Sequence, residues 1–217
     1  MLATIAATLF LGGLPPACVH DSIPRSVERG VVSSPSQPAA VIRVGRDFAY
    51  LGCFSFEVEE MARGTRYLFV DAEGSRVRRM LILHFEEFQP GSQEIYRYDM
   101  SSAEDIDGYR FRQNAFAFSG AMDSAHPGSE AALTTAFLAV RGYEVPNLWL
   151  ASRFVTLGSA DRRSEFIVFY LEPAGGGMTL ADLYHGEQET ATWRELRVGL
   201  RDRSRQAFAM LPPKAVC

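Results

Sequence analysis

Residues 65–88 read TRYLFVDAEGSRVRRMLILHFEEF, two β-branched and aromatic runs (65–72 and 77–88) on either side of Glu73-Gly74-Ser75. Apolar runs of strand length flanking a short glycine turn predict a β-hairpin. In the second run, alternation puts Met80, Ile82, His84, Glu86 and Phe88 on one face and Leu81, Leu83 and Phe85 on the other. Both faces are largely apolar, so this strand is read as covered on both sides.

The same reading extends outward. Strands are predicted at 48–57 (FAYLGCFSFE), 94–99 (EIYRYD) and 109–118 (YRFRQNAFAF). A second hairpin is predicted from 148–157 and 164–172 around Gly158-Ser159-Ala160-Asp161. Seven strands joined mostly by short turns imply a curved, mainly antiparallel sheet, barrel-like if its edges meet. One mid-chain helix is expected over 127–141, with Leu133, Ala136, Phe137 and Val140 on one face and Gly142 as its stop. A C-terminal amphipathic helix over 190–210 directs Trp193, Leu196, Leu200, Ala207 and Leu211 at the sheet, and a short helical turn precedes it near 180–184. The fold class is therefore α+β.

Composition bounds the rest. The 217 residues carry 22 basic and 26 acidic side chains, a formal net charge of −4, so no basic surface invites nucleic acid. With 47% hydrophobic and 22% charged residues the chain is globular, not disordered. No apolar run is long enough to span a bilayer as a mature helix.

Residues 1–17 (MLATIAATLFLGGLPPA) hold no charged side chain, and their apolar run has the length of a signal-peptide core. A hydrophobic run that ends in Leu, turn and small residues before Cys18 resembles a bacterial lipoprotein signal. That resemblance implies acylation of Cys18, with the protein anchored by lipid in the cell envelope, in the periplasm or at the outer membrane. No Lys or Arg precedes the run, and Pro15 stands three residues before the cysteine, so a plain cleaved secretory signal and a buried N-terminal helix stay open. The Ser-, Pro- and charge-rich stretch 18–43 reads as a tether, and 44–217 as one globular domain. In an oxidising compartment Cys53 and Cys217 are available to pair; otherwise Cys53 is a small buried hydrophobe.

No GxSxG elbow, phosphate-binding glycine loop, HExxH or dinucleotide fingerprint occurs, and no Cys/His cluster suggests a metal, so neither a cofactor nor a metal is assigned. What remains is polar residues inside apolar strands. His84 and Glu86 share a face, and a carboxylate two residues from an imidazole can hold its tautomer for base catalysis, or the pair can be structural. Trp149, Ala151, Arg153 and Val155 share another face, and so do Phe166, Val168, Tyr170 and Glu172. If the turn pairs Leu157 with Ser164, Arg153 lies opposite Val168 and diagonal to Tyr170. A buried arginine needs an anion, supplied by Glu172 or Glu86 internally or by a ligand carboxylate, with Tyr170 as a second donor. The strand aromatics, among them Tyr67, Phe69, Tyr96, Tyr98 and Phe111, either line an apolar pocket or form core. Arg194, Arg197, Arg201 and Arg205 make one stripe on the last helix, either a solvated flank or a docking face for lipid or an acidic partner.

Three functions follow as expectations. The first is an exported, non-enzymatic protein binding a small apolar or anionic ligand through Arg153, Tyr170, His84 and Trp149. The second is a small hydrolase or isomerase with His84 as base, Glu86 orienting it and Arg153 anchoring substrate. The third is a structural envelope module that binds another protein.

Overall fold

The computed structural model describes residues 18, 23–119 and 128–212. The elements before the large sheet are β1 (Ser26–Glu28), β2 (Val31–Ser34) and β3 (Ala40–Val44). The large sheet then takes β4 (Ala49–Val58), β5 (Ala62–Glu73), β6 (Arg76–Phe88), β7 (Glu104–Ile106), β8 (Tyr109–Ser119), β9 (Leu148–Leu157) and β10 (Ser164–Pro173). Helix α1 (Glu130–Val140) separates β8 from β9. After β10 come α2 (Leu180–Leu183), the short pair β11 (Tyr184–His185) and β12 (Gln188–Glu189), α3 (Ala191–Gln206) and β13 (Phe208–Leu211). No helix among the described residues is long and apolar enough to cross a membrane.

The large sheet has seven strands in the order β4-β5-β6-β10-β9-β8-β7 and every pairing in it is antiparallel, so the fold is α+β as the sequence reading has it. It consists of two meanders, β4 to β6 and β7 to β10, that join through their last strands. Its two edge strands do not pair with each other, so it is an open sheet and not a barrel. Both central strands are buried over most of their length.

A second sheet, in the order β1-β2-β3-β13, corrects two expectations. Within the stretch read as a tether, residues 26–44 hold three strands. Serines and prolines mark its turns, while Val32, Ala40, Ile42 and Val44 alternate inward. The last helix stops at Gln206 and not at 210. In the next four residues Phe208 and Met210 alternate inward and pair with β3, which a helix could not do. This small sheet and α3 cover one face of the large sheet, enclosing Phe69, Phe85, Phe154, Phe166 and Tyr170 with Trp193 and Leu200. On the opposite face α1 covers Leu68, Met80, Ile82, Trp149 and Leu171 with Phe137 and Leu138.

Local chemistry explains the helices. The Ser129 side chain caps α1 by accepting from Ala132 N, and Thr190 caps α3 by accepting from Trp193 N. The buried face of α1 is Thr134, Phe137 and Leu138, with Val140 exposed, so the helix is rotated from the expected face.

The segment 94–99 is extended but pairs with no strand. Arg162 instead donates to the carbonyls of Tyr96 and Tyr98, and Arg163 donates to that of Ser92. An extended backbone hydrogen-bonded by arginine side chains keeps the alternation of a strand without a neighbour. The β9–β10 register also differs from the expected one. Gly158 N donates to Ser164 O, so Leu157 pairs with Glu165 and the connection is one residue longer. A one-residue slip reverses every side chain relative to its partner strand.

Cys18 is disulfide-bonded to Cys53, with Cα atoms 5.6 Å apart. Cys53 thus pairs toward the N-terminus, and Cys217 lies outside the described residues.

Gly64 sits where β5 passes under the Phe56 ring. A Cβ there would lie 2.3 Å from Phe56 Cζ and 2.7 Å from the Phe85 carbonyl oxygen. Gly64→Ala is expected to destabilise the fold by about 2 kcal/mol or more in urea unfolding. Gly175→Ala, with no atom within 4 Å of its added Cβ, should change stability by less than about 0.5 kcal/mol.

Candidate functional site

The α1-covered face of the sheet carries polar side chains on five strands, set among apolar ones. The registers align Arg66 of β5 with His84 of β6, Glu86 of β6 with Glu165 of β10, and Arg153 of β9 with Asn114 of β8. Side chains at directly opposed positions share a face. Glu130 enters this face from α1, and Tyr96 and Tyr98 enter from the extended segment. Together they line a cavity of about 260 Å³ floored by Ile167 and Phe169.

Each polar group has a specific partner. Arg66, only 7% exposed, donates from Nε to His84 Nδ1 (3.0 Å). Its Nη1 donates to the Glu130 carbonyl (2.8 Å) and Thr134 Oγ1 (2.9 Å), fastening α1 to the sheet. A guanidinium can only donate, so His84 Nδ1 accepts and the proton sits on Nε2, which faces Glu86 Oε2 at 3.1 Å. Glu86 Oε1 accepts from Tyr96 Oη at 2.7 Å, and Glu165 Oε2 accepts from Tyr98 Oη at 2.5 Å.

These contacts set the protonation states. Burial, reinforced by the Arg66 charge, lowers the His84 imidazole below its ordinary value, and the Glu86 hydrogen bond only partly offsets this. Burial works to raise Glu86, but the His84 and Tyr96 hydrogen bonds hold it below the usual carboxylate range. Burial pushes Glu165 up to about 7, helped by the nearby Glu86 charge and opposed by the Tyr98 hydrogen bond and Arg153. The two facing carboxylates are thus driven apart, one ionised and one close to half-protonated at neutrality.

Arg153 is the exception in this network. Its Nε donates to Asn114 Oδ1 at 3.0 Å, which orients the guanidinium, while its two Nη nitrogens make no hydrogen bond or ion pair among the described residues. Neither carboxylate proposed as its internal partner serves it. Glu172 is held by Arg203 and Tyr170, and Glu86 by His84 and Tyr96.

A second cleft, about 280 Å³, lies beside this cavity between α1 and the sheet, and Arg66, Glu130 and Phe169 line both. Its walls are apolar: Met80, Ile82, Phe116, Phe118, Leu138 and Trp149. The two spaces are neighbours, one lined mainly by charged and polar groups and the other by apolar ones.

Of the residues singled out in the sequence, His84, Glu86 and Arg153 meet in the first cavity, and Trp149 lines the cleft beside it. Tyr170 does not join them. The register slip turns it to the opposite face, where it is fully buried and donates to Glu172. Both nitrogens of His84 are already engaged, which leaves no free lone pair for base catalysis. Cys18 has its sulfur against that of Cys53, in a disulfide. The arginine stripe is held internally, Arg197 by Glu189, Arg201 by Glu104 and Arg205 facing Asp107. Tyr67, Phe69 and Phe111 are core, whereas Tyr96 and Tyr98 line the cavity.

Sequence reading missed Arg66, Glu130 and Glu165. Arg66 and Glu165 had a usable signal, each being a charge inside or at the start of an apolar strand. Glu130 had none, because only the docking of α1 brings it in. His84, Glu86 and Glu130 place ligand-type atoms within 4.8 Å of one another, the spacing of a metal set. Arg66 already takes His84 Nδ1 and pairs with Glu130 at 3.4 Å, so a guanidinium holds the position and charge a cation would need.

No family model, no curated protein and no solved structure matches this chain.

Glu165 gives a pH test. Its folded-state value lies above the ordinary glutamate value of 4.5, so its stabilisation is complete below about pH 4.5 and is lost as pH rises to about 7. Across that window the wild type should lose on the order of 3 kcal/mol relative to Glu165→Gln in urea unfolding, with no further change at higher pH. His84 acts in the opposite sense, losing stability as pH falls below 6.5, and cancels in the difference.

Proposed function

We propose that this protein is an exported binding protein for small anionic amphiphiles, with no catalytic step of its own. The anionic head group sits on Arg153 and the apolar chain lies in the cleft beside Trp149. The observation that carries this reading is the Arg153 guanidinium, oriented through Nε by Asn114 with its Nη fork unclaimed among the described residues, in a polar cavity beside an apolar cleft. A fixed guanidinium offers two parallel donors to a carboxylate, sulfonate or phosphate, and such charge-assisted pairs are the strong ones. Burial of an alkyl chain against Met80, Phe116 and Phe118 adds a favourable term for each methylene. His84 shapes the site through Arg66 and Glu86 and has no nitrogen left for a reacting group, which weighs against the hydrolase or isomerase reading.

Dodecanoate, followed by displacement of a fluorescent fatty acid, is the direct probe. Arg153→Ala should weaken it by about tenfold or more, since each hydrogen bond to a charged group contributes roughly 1.5–3 kcal/mol. Ala131→Trp, which fills the apolar cleft from α1, should abolish binding with little change in melting temperature. Dodecylammonium, with the opposite charge, should not bind. Equal dodecanoate affinity in wild type and Arg153→Ala would refute the assignment.

Export rests on the uncharged apolar leader ahead of Cys18, and a disulfide suits an oxidising compartment such as the periplasm. The seating of Cys18 against Cys53 favours a disulfide over the lipid anchor that the leader sequence also suggests. Intact mass of the protein from its own source separates the two. A mature chain two hydrogens lighter than its reduced form supports the pair, and an added diacylglycerol supports the anchor, through which the protein would reach the membrane.

A further inference from the structure

Glu165 and the Arg153 fork face the same cavity, and the Glu165 side chain is 5% exposed. Among the described residues only one of its oxygens has a hydrogen-bond partner. Oε2 accepts from Tyr98, while Oε1 lies 3.9 Å from His84 Nε2, whose proton points to Glu86. The charges around Glu165 come from every neighbouring element. β6 presents His84 and the ionised Glu86, β5 presents Arg66 and β9 presents Arg153. Helix α1 presents Glu130, and the extended segment presents Tyr96 and Tyr98, whose carbonyls hold Arg162 of the β9–β10 turn. Arg66 is committed to His84 and Glu130, so of the two arginines that line the cavity, Arg153 is the one left to compensate a Glu165 carboxylate.

An anion that takes the Arg153 fork removes that compensation. Glu165 would then be a buried carboxylate beside Glu86, Glu130 and the ligand head group, with one hydrogen-bond donor. Like charges that close in a low-dielectric site cannot all remain ionised. On the ligand reading given above, we propose that the cavity takes up its anionic ligand together with one proton from solvent, which goes to Glu165. Binding is therefore strong where Glu165 can protonate and weakens as pH rises. Protonated Glu165 also gains a donor, so it becomes a second hydrogen-bond partner for the ligand head group.

Calorimetric titration of the mature protein with dodecanoate near pH 8, in two buffers of different ionisation enthalpy, reads the proton directly. Uptake approaching one proton per ligand is expected, with affinity falling by about tenfold per pH unit above neutrality. Decane-1-sulfonate, whose head group does not titrate, should show the same uptake. In Glu165→Gln the uptake should vanish, and affinity should stay level from about pH 6 to about pH 9. Wild-type binding without proton exchange overturns this proposal alone, and needs no variant to fold. Proton uptake that persists in Glu165→Gln overturns it too. If neither dodecanoate nor decane-1-sulfonate binds at any pH, the ligand reading falls and this proposal falls with it.

Discussion

The structure depends on the pairing of β6 with β10. Two meanders, each made of neighbours in sequence, become one sheet only because Met80 through Glu87 pair with Ser164 through Leu171. That junction runs through the middle of the sheet and is buried on both faces. It is also where Glu86 meets Glu165. Two facing carboxylates in a buried seam are tolerable only with donors on every side. The surrounding structure supplies them: His84 and Tyr96 on one carboxylate, Tyr98 on the other, and Arg66 and Arg153 as balancing charge. The position of α1 follows from the same demand, since Arg66 reaches its Glu130 carbonyl and Thr134 hydroxyl only if the helix lies across this face.

Buried polar networks of this kind are either complete or costly. Here Arg66, His84, Glu86, Tyr96 and Tyr98 are each hydrogen-bonded within the network. Among the described residues Arg153 is satisfied at one nitrogen only, by an asparagine that contributes no charge. A network that served stability alone would be expected to close on its strongest donor, and Glu165 lies in the same cavity to accept from it. The apolar cleft adjoining that donor gives the opening a direction and a size.

What could be read from sequence divides by contact range. The two hairpins, the long β8 run and the shared face of His84 and Glu86 all follow from local periodicity and turn chemistry, and the structure has them. The small sheet was illegible because β3 finds its partner β13 only in three dimensions, and both stretches are short. Arg153 stands out in the sequence as a charge inside an apolar strand, but its partner is Asn114 and neither Glu172 nor Glu86. A single extra residue in the β9–β10 turn turned Tyr170 away and brought Phe169 opposite. Tyr96 and Tyr98 read from the sequence only as strand aromatics, and spacing does not identify the arginines that hold their segment. Register and the docking of α1, more than residue type, decide which polar side chains meet.

The pairing of β3 with β13 also bears on how the chain reaches its folded state. Val41 and Leu211 are register partners, a separation of 211 − 41 = 170 residues. The hairpins and meanders need only short loop closures, whereas this contact requires almost the whole chain to be in place. Before the small sheet forms, the face of the large sheet holding Phe85, Phe154 and Phe166 lacks its cover of Ile42, Val44 and Phe208. Folding then has a natural order, large sheet first and terminal sheet last. A chain arrested between those steps presents an aromatic surface that favours self-association.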